Sequence, residues 1–200
     1  MTAASAGVSG APQPLHGERA TGWWGMICLI GTEATLFALL IFSYFYLRWN
    51  SPRWPPDGIK LPDFTVVIPA TILLLTSSGP MQWAEWSIRR GRRRQLKLGL
   101  VIAMVEAVLF VALTLYEWSK LDFTPQLNSY GSLFFTITGI HLLHVTGAVC
   151  MALYLLVRAS LGHFSSRRFL AVENVTLYWH FVDLVWVAIF SSLYISPYIR

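Results

Sequence analysis

The chain has 200 residues, of which 55% are hydrophobic and 12% charged, with a formal net charge of +5 and a mean hydropathy of +0.54. A water-soluble fold of this length needs a charged surface that this composition does not supply, so a single-domain integral membrane protein is predicted. The positive charge collects in loops, which makes it a topology signal and not a nucleic-acid footprint, and no nucleic-acid partner is expected. Cys28 and Cys150 both lie in apolar runs. They read as buried small hydrophobes, not as a disulfide framework.

In chain order, residues 1–20 are rich in Ala, Ser, Gly and Pro and are expected to be a disordered tail ahead of a transmembrane domain over 21–200. The first apolar run, 24–47, is long enough to cross the roughly 30 Å hydrocarbon layer with some tilt. Trp23, Trp24, Tyr44, Tyr46 and Trp49 are placed at its two interfaces. A Pro-rich loop, 51–58, cannot continue the helix. The second run, 64–86, contains Pro69 and Pro80, which predicts a kink or a break near Ser77-Ser78-Gly79-Pro80. The densest charge run follows, from Arg89 and Arg90 through Arg94 to Lys97.

The third run, 98–118, has Glu106 at its centre and Glu117 at its far end. The fourth, 131–157, holds His141 and His144, and the fifth, 175–195, holds His180 and Asp183 before Pro197 stops it. The predicted fold class is therefore all-α, a bundle of five transmembrane helices. An odd number of crossings puts the termini on opposite sides. With the N-terminus inside, the inner segments carry ten basic residues (Arg19, the six of 89–97, Arg158, Arg167, Arg168) against five outside (Arg48, Arg53, Lys60, Lys120, Arg200). Positive-inside favours that orientation, with the C-terminus outside.

Six ionisable side chains then fall at mid-depth: Glu33, Glu106, His141, His144, His180 and Asp183. An aspartate in hydrocarbon costs about 2.5–3.5 kcal/mol, so these groups should meet protein or water. His141 and His144 share a helix face, as do His180 and Asp183, so the first pair can hydrogen-bond to the second or to a carboxylate. Two readings stay open for the belt: interhelical hydrogen bonding, or proton carriage. A metal is not favoured, because Glu-x-x-His pairs and His-Glu-x-x-His are both missing. A haem clasped between His144 and His180 is permitted by depth and called for by nothing else. Glu85 lies near an interface, where an exposed carboxylate is cheap. The basic run 89–97 is first an orientation signal and second a contact for anionic lipid or an acidic partner.

The motifs together resemble subunit III of the haem-copper terminal oxidases, in a five-helix bacterial form. Tyr178-Trp179-His180-Phe181-Val182-Asp183-Leu184-Val185-Trp186 is similar to the family's most specific motif, and His141-Leu142-Leu143-His144-Val145, preceded by Tyr130 to Phe135 and Thr138-Gly139, is similar to its other signature. Glu33 with Phe37, Tyr116-Glu117-Trp118 and Glu173 match further positions. The resemblance implies an auxiliary subunit that binds no haem or copper, packs against a redox-active subunit I within a complex that includes subunit II, and carries phospholipid in an interhelical cleft. It implies support of subunit I and of its proton uptake, with Glu33 implicated, and it makes Glu117, Glu173, Trp179, Arg89 and Arg90 candidate lipid or partner contacts. A bacterial inner-membrane location follows.

The mitochondrial form has two more helices at its start. Five-helix relatives occur in cytochrome c oxidases, quinol oxidases and a nitric-oxide-reductase-associated homologue, so the electron donor stays open. Two rivals come from other classes, a free-standing proton-coupled transporter and a membrane cytochrome or metalloenzyme. The first lacks an inverted repeat and matched broken helices.

Overall fold

The computed structural model describes residues 21–56, 59 and 64–198. The expected tail at 1–20 lies outside them, as do Lys60 and Arg200. Five helices are long and apolar enough to cross a membrane, and no strand occurs among the described residues. They are α1 (Thr21–Asn50), α2 (Phe64–Arg89), α3 (Arg93–Trp118), α4 (Ser129–Ser160) and α5 (Leu170–Ile189), the last continuing as a π-helical turn (Phe190–Ile195) and a short 3-10 turn (Ser196–Tyr198). Several helices outrun their apolar cores. Their ends continue for a turn or so because the backbone hydrogen bonds remain favourable outside the hydrocarbon.

α2 and α3 form a tight antiparallel hairpin, which turns at Gly91 with φ 74°, a left-handed value that glycine adopts without steric cost. The two helices touch where a Cβ on Gly99 would stand 2.6 Å from the Pro80 carbonyl oxygen and 2.9 Å from the Ala84 Cβ. Such backbone proximity is how apolar helices gain packing contact when lipid offers no hydrophobic incentive to associate. α2 is one continuous helix through Pro69 and Pro80, so the expected break does not occur. Pro80 removes one backbone donor, and α3 and α5 pack along α2 and support the helix past that gap.

α5 is the centre of the bundle and packs against α1, α2 and α4. Trp179, Val182, Trp186 and Ile189 lie in its buried surface, while Leu184 faces outward. Pro197 cannot donate, and Ser196 Oγ instead donates to the Ser192 carbonyl at 2.6 Å while accepting from Arg48 Nη1 at 2.5 Å. This ties the end of α1 to the end of the chain.

Three sequence expectations about burial change. Tyr44 is fully buried, with Trp54 5.4 Å and Tyr130 6.4 Å away between ring centres, and does not belong to the interfacial belt. Cys28 and Cys150 are free and outward-facing. In a bilayer the outside of a helix is as apolar as its inside, so an apolar run does not tell which way a residue points. Glu85 is buried, because Arg89 lies one turn along and neutralises it: Arg89 Nη2 donates to Glu85 Oε1 at 2.6 Å.

Candidate functional site

The mid-depth polar residues do not form one belt. They separate into two clusters, a core histidine between them and one isolated carboxylate.

The first cluster joins α1 to α4. His144 Nδ1 donates to the Ile140 carbonyl at 2.7 Å, one turn back on its own helix, which fixes that nitrogen as N–H. His144 Nε2 then meets Glu33 Oε2 at 2.9 Å. This contact needs one proton, carried either by the imidazole as half of an ion pair or by the carboxyl. Phe37, one turn beyond Glu33, covers the pair edge-on with its ring centre 5.0 Å from that of His144. Phe37 and Tyr44 are the buried residues of α1, while Leu36, Leu39, Phe42 and Phe45 are exposed and give this helix an apolar outer surface.

The second cluster is the seam between antiparallel α2 and α5. Trp186 Nε1 donates to Thr71 Oγ1 at 3.0 Å, and Trp179 Nε1 donates to Ser77 Oγ at 2.8 Å. Ser78 Oγ is bonded to Asp183 Oδ2 and lies 2.9 Å from His180 Nδ1. His180 Nε2 meets Gln82 Oε1 at 3.0 Å, and Gln82 Nε2 points to Glu85 Oε2 at 3.4 Å. The line ends at Arg89, whose Nη2 also lies 3.6 Å from Glu173 Oε2. From Ser78 the polar groups descend α2 in steps of three or four residues (78, 82, 85, 89), which keeps them on one face, with Thr71 two turns before Ser78.

His141 is a core histidine between these clusters. It is fully buried, donates from Nε2 to the Val182 carbonyl at 3.2 Å and lies against Trp186 at 5.0 Å between ring centres. Phe110 flanks it at 5.9 Å.

Glu106 stands apart. The buried stripe of α3 runs through Ala103, Ala107, Phe110, Thr114 and Glu117, and Glu106 stands half-buried at its edge, with Oε2 buried and without a hydrogen-bond partner among the described residues. Its depth was evident from position along the helix, but its rotation about the axis was not. His144 and His180 engage different partners on different seams, and the geometry does not join them as a haem clasp.

Two of the expected outer contacts are inside the bundle. Trp179 is 2% exposed and is spent on Ser77, and Glu117 is 5% exposed and accepts from Tyr194 Oη at 3.1 Å. The π-helical turn after α5 includes Tyr194, and the paired hydroxyl keeps the carboxylate from facing lipid. Glu173, Arg89 and Arg90 remain near or at the surface. Sequence reasoning missed Thr71, Ser77, Ser78 and Gln82 as site residues, reading the two serines only as part of a break in the second run. The spacing 78, 82, 85, 89 on one predicted helix was the available signal.

Among the described residues, no group of three or more His, Cys, Asp or Glu side chains is placed to hold a metal ion. An apolar groove of about 520 Å³ runs between α1 and α5, lined by Ala34, Phe37, Ile41, Phe45, Leu184 and Ala188 among others. Five apolar helices, with a Glu33–His144 contact and an Asp183–Ser78–His180 cluster inside the bundle, define a multi-pass membrane protein.

Residues 17–198 match the family Cytochrome c oxidase subunit III, and the chain belongs to that family. It is 32% identical over 183 residues to cytochrome c oxidase subunit 3 of Synechocystis sp., covering 90% of this chain and 78% of that one. Against the proteins of the same name from Ornithorhynchus anatinus and Locusta migratoria it is 36% identical, over 86% of this chain and 68% and 67% of theirs. The family is the auxiliary third subunit of haem-copper oxidases, so the chain is a component of a multisubunit oxidoreductase complex.

Proposed function

We propose that this chain is a non-catalytic subunit III that braces subunit I of a proton-pumping cytochrome c oxidase and supports its proton uptake. The complex, completed by subunit II, reduces O2 to water in a bacterial inner membrane, with haem and copper held by the partner subunits. The observation that carries this reading is the Glu33–His144 contact. It keeps an exchangeable proton at mid-depth on the helix that buries least of itself in the bundle, where a neighbouring chain can reach it. A transporter needs a substrate path through its own helices, whereas these polar groups are engaged with one another.

Further support concerns orientation and lipid. The turn between α2 and α3 gathers Arg89, Arg90 and Arg92 to Arg94, and Arg158, Arg167 and Arg168 share that end of the bundle. Their number supports a cytoplasmic position for that end, with the C-terminus outside. The groove between α1 and α5 suits a phospholipid acyl chain, with Arg89, Arg90 and Glu173 as surface contacts at the basic end. Glu106, half-buried at the edge of α3's packed face, completes the set of intramembrane polar residues.

Purification of the tagged chain from its native membrane tests the reading. The expected product carries subunits I and II and shows haem in reduced-minus-oxidised spectra, with turnover on reduced cytochrome c. A chain that purifies alone overturns the proposal, and turnover on quinol but not on cytochrome c moves it to a quinol oxidase.

A further inference from the structure

Hydrogen-bond accounting along the α2–α5 seam leads beyond a structural polar seam. Ser78 Oγ contacts both Asp183 Oδ2 and His180 Nδ1, yet a hydroxyl has one hydrogen and can donate to only one of them. His180 Nε2 faces Gln82 Oε1 at 3.0 Å, an acceptor, because the amide nitrogen of Gln82 is turned to the Glu85 carboxylate. Nε2 therefore carries hydrogen. A neutral His180 then has a bare Nδ1, which accepts from Ser78. That leaves Ser78 Oγ as the acceptor for Asp183, so Asp183 Oδ2 must bring a hydrogen of its own.

The other arrangement makes His180 an imidazolium and Asp183 a carboxylate, with Ser78 accepting from the first and donating to the second. Both arrangements hold the same number of protons. Asp183 Oδ1 decides which one rests: it is buried without a hydrogen-bond partner, and the space bordered by Asp183, Leu74, Val145, Ala148, Trp179 and Val182 admits no water. A carboxyl C=O left in such a place costs less than a charged carboxylate oxygen.

We propose that Asp183, Ser78 and His180 form a proton-holding relay, with the proton resting on Asp183 and leaving through Ser78 to His180. In the transfer, the Asp183 Oδ2–H bond breaks as a new Ser78 Oγ–H bond forms. The former Ser78 hydrogen passes to His180 Nδ1. The product is a carboxylate–imidazolium pair, and reversal restores the neutral form. The route from His180 to the basic end is lined by Gln82, Glu85 and Arg89, while the outer side of the aspartate is closed by the apolar wall just described. The inference deepens the reading of His180 and Asp183 as intramembrane polar residues and does not depend on which oxidase the chain serves.

Infrared spectroscopy of the purified complex tests it. The expected spectrum has a C=O stretch of a protonated carboxyl that shifts on transfer to D2O and is absent in Asp183→Asn, which preserves shape. In Ser78→Ala the band should move to higher wavenumber and its deuterium shift should develop severalfold more slowly, because the exit is gone. Ser78→Thr should restore both. Absence of an Asp183-dependent band, or an exchange rate indifferent to Ser78→Ala, overturns the relay. Subunit content of each preparation separates this outcome from failure of the oxidase assignment, since the relay can fail in a complex that co-purifies intact.

Discussion

Glu33 on α1 and His144 on α4 approach to 2.9 Å at mid-depth, 111 residues apart in sequence, with Phe37 packed over them. α1 buries little else, and this contact joins the Arg48–Ser196 bond near one end and the Asn174–Gly22 bond near the other in attaching it to the later helices. The pair therefore attaches α1 to the later helices, and the proton role proposed for it can be tested apart from that attachment.

Glu33→Ala should leave the complex assembled but shorten sustained turnover or slow proton uptake, read as activity decay during continuous catalysis. Unchanged decay removes the functional role of Glu33. His144→Ala should also lower the thermal midpoint of the complex, with a cost of about 1–2 kcal/mol, the upper range for an intramembrane hydrogen bond. A midpoint equal to wild type would show that the contact does not hold α1.

The α2–α3 hairpin makes a steric prediction. Gly99→Ala places a methyl 2.6 Å from the Pro80 carbonyl oxygen, and the backbone cannot yield cheaply. The helices must part, at about 1–3 kcal/mol, the usual range for overpacking. Gly147→Ala meets nothing within 4 Å and is the control. Equal melting of the two variants would refute the close approach.

The Trp186–Thr71 bond can be measured by a double-mutant cycle. Trp186→Phe and Thr71→Val each remove one partner, and their coupling should be about 0.6 kcal/mol, typical for interhelical hydrogen bonds in membrane proteins. Strict additivity would mean that the indole is held by packing alone.

Tyr194→Phe removes the donor to Glu117 while keeping the ring. The acceptor stays buried, so the loss should be about 1–3 kcal/mol, seen as a lower thermal midpoint. Glu117→Gln in the same background should recover part of it, because an amide is cheaper to bury than a carboxylate. No recovery would point to the ring's position, not the charge, as the reason for Glu117's place.

Length and hydropathy alone determined that five helices cross a membrane, and the motifs around His141 and Asp183 were enough to give the family. The apolar runs carry that information because backbone hydrogen bonds must be satisfied within each segment, whatever surrounds it. Position along each helix was legible too, since each residue advances a helix by a fixed rise. Rotation was not. In water the polar face marks the outside of a helix, but lipid and protein interior are equally apolar, so nothing in the local sequence says which way Glu106, Tyr44 or Cys28 points. Only the packed bundle decided that Glu33 pairs with His144, that Glu106 stands apart, and that a proline-bearing helix brings Ser78 between His180 and Asp183.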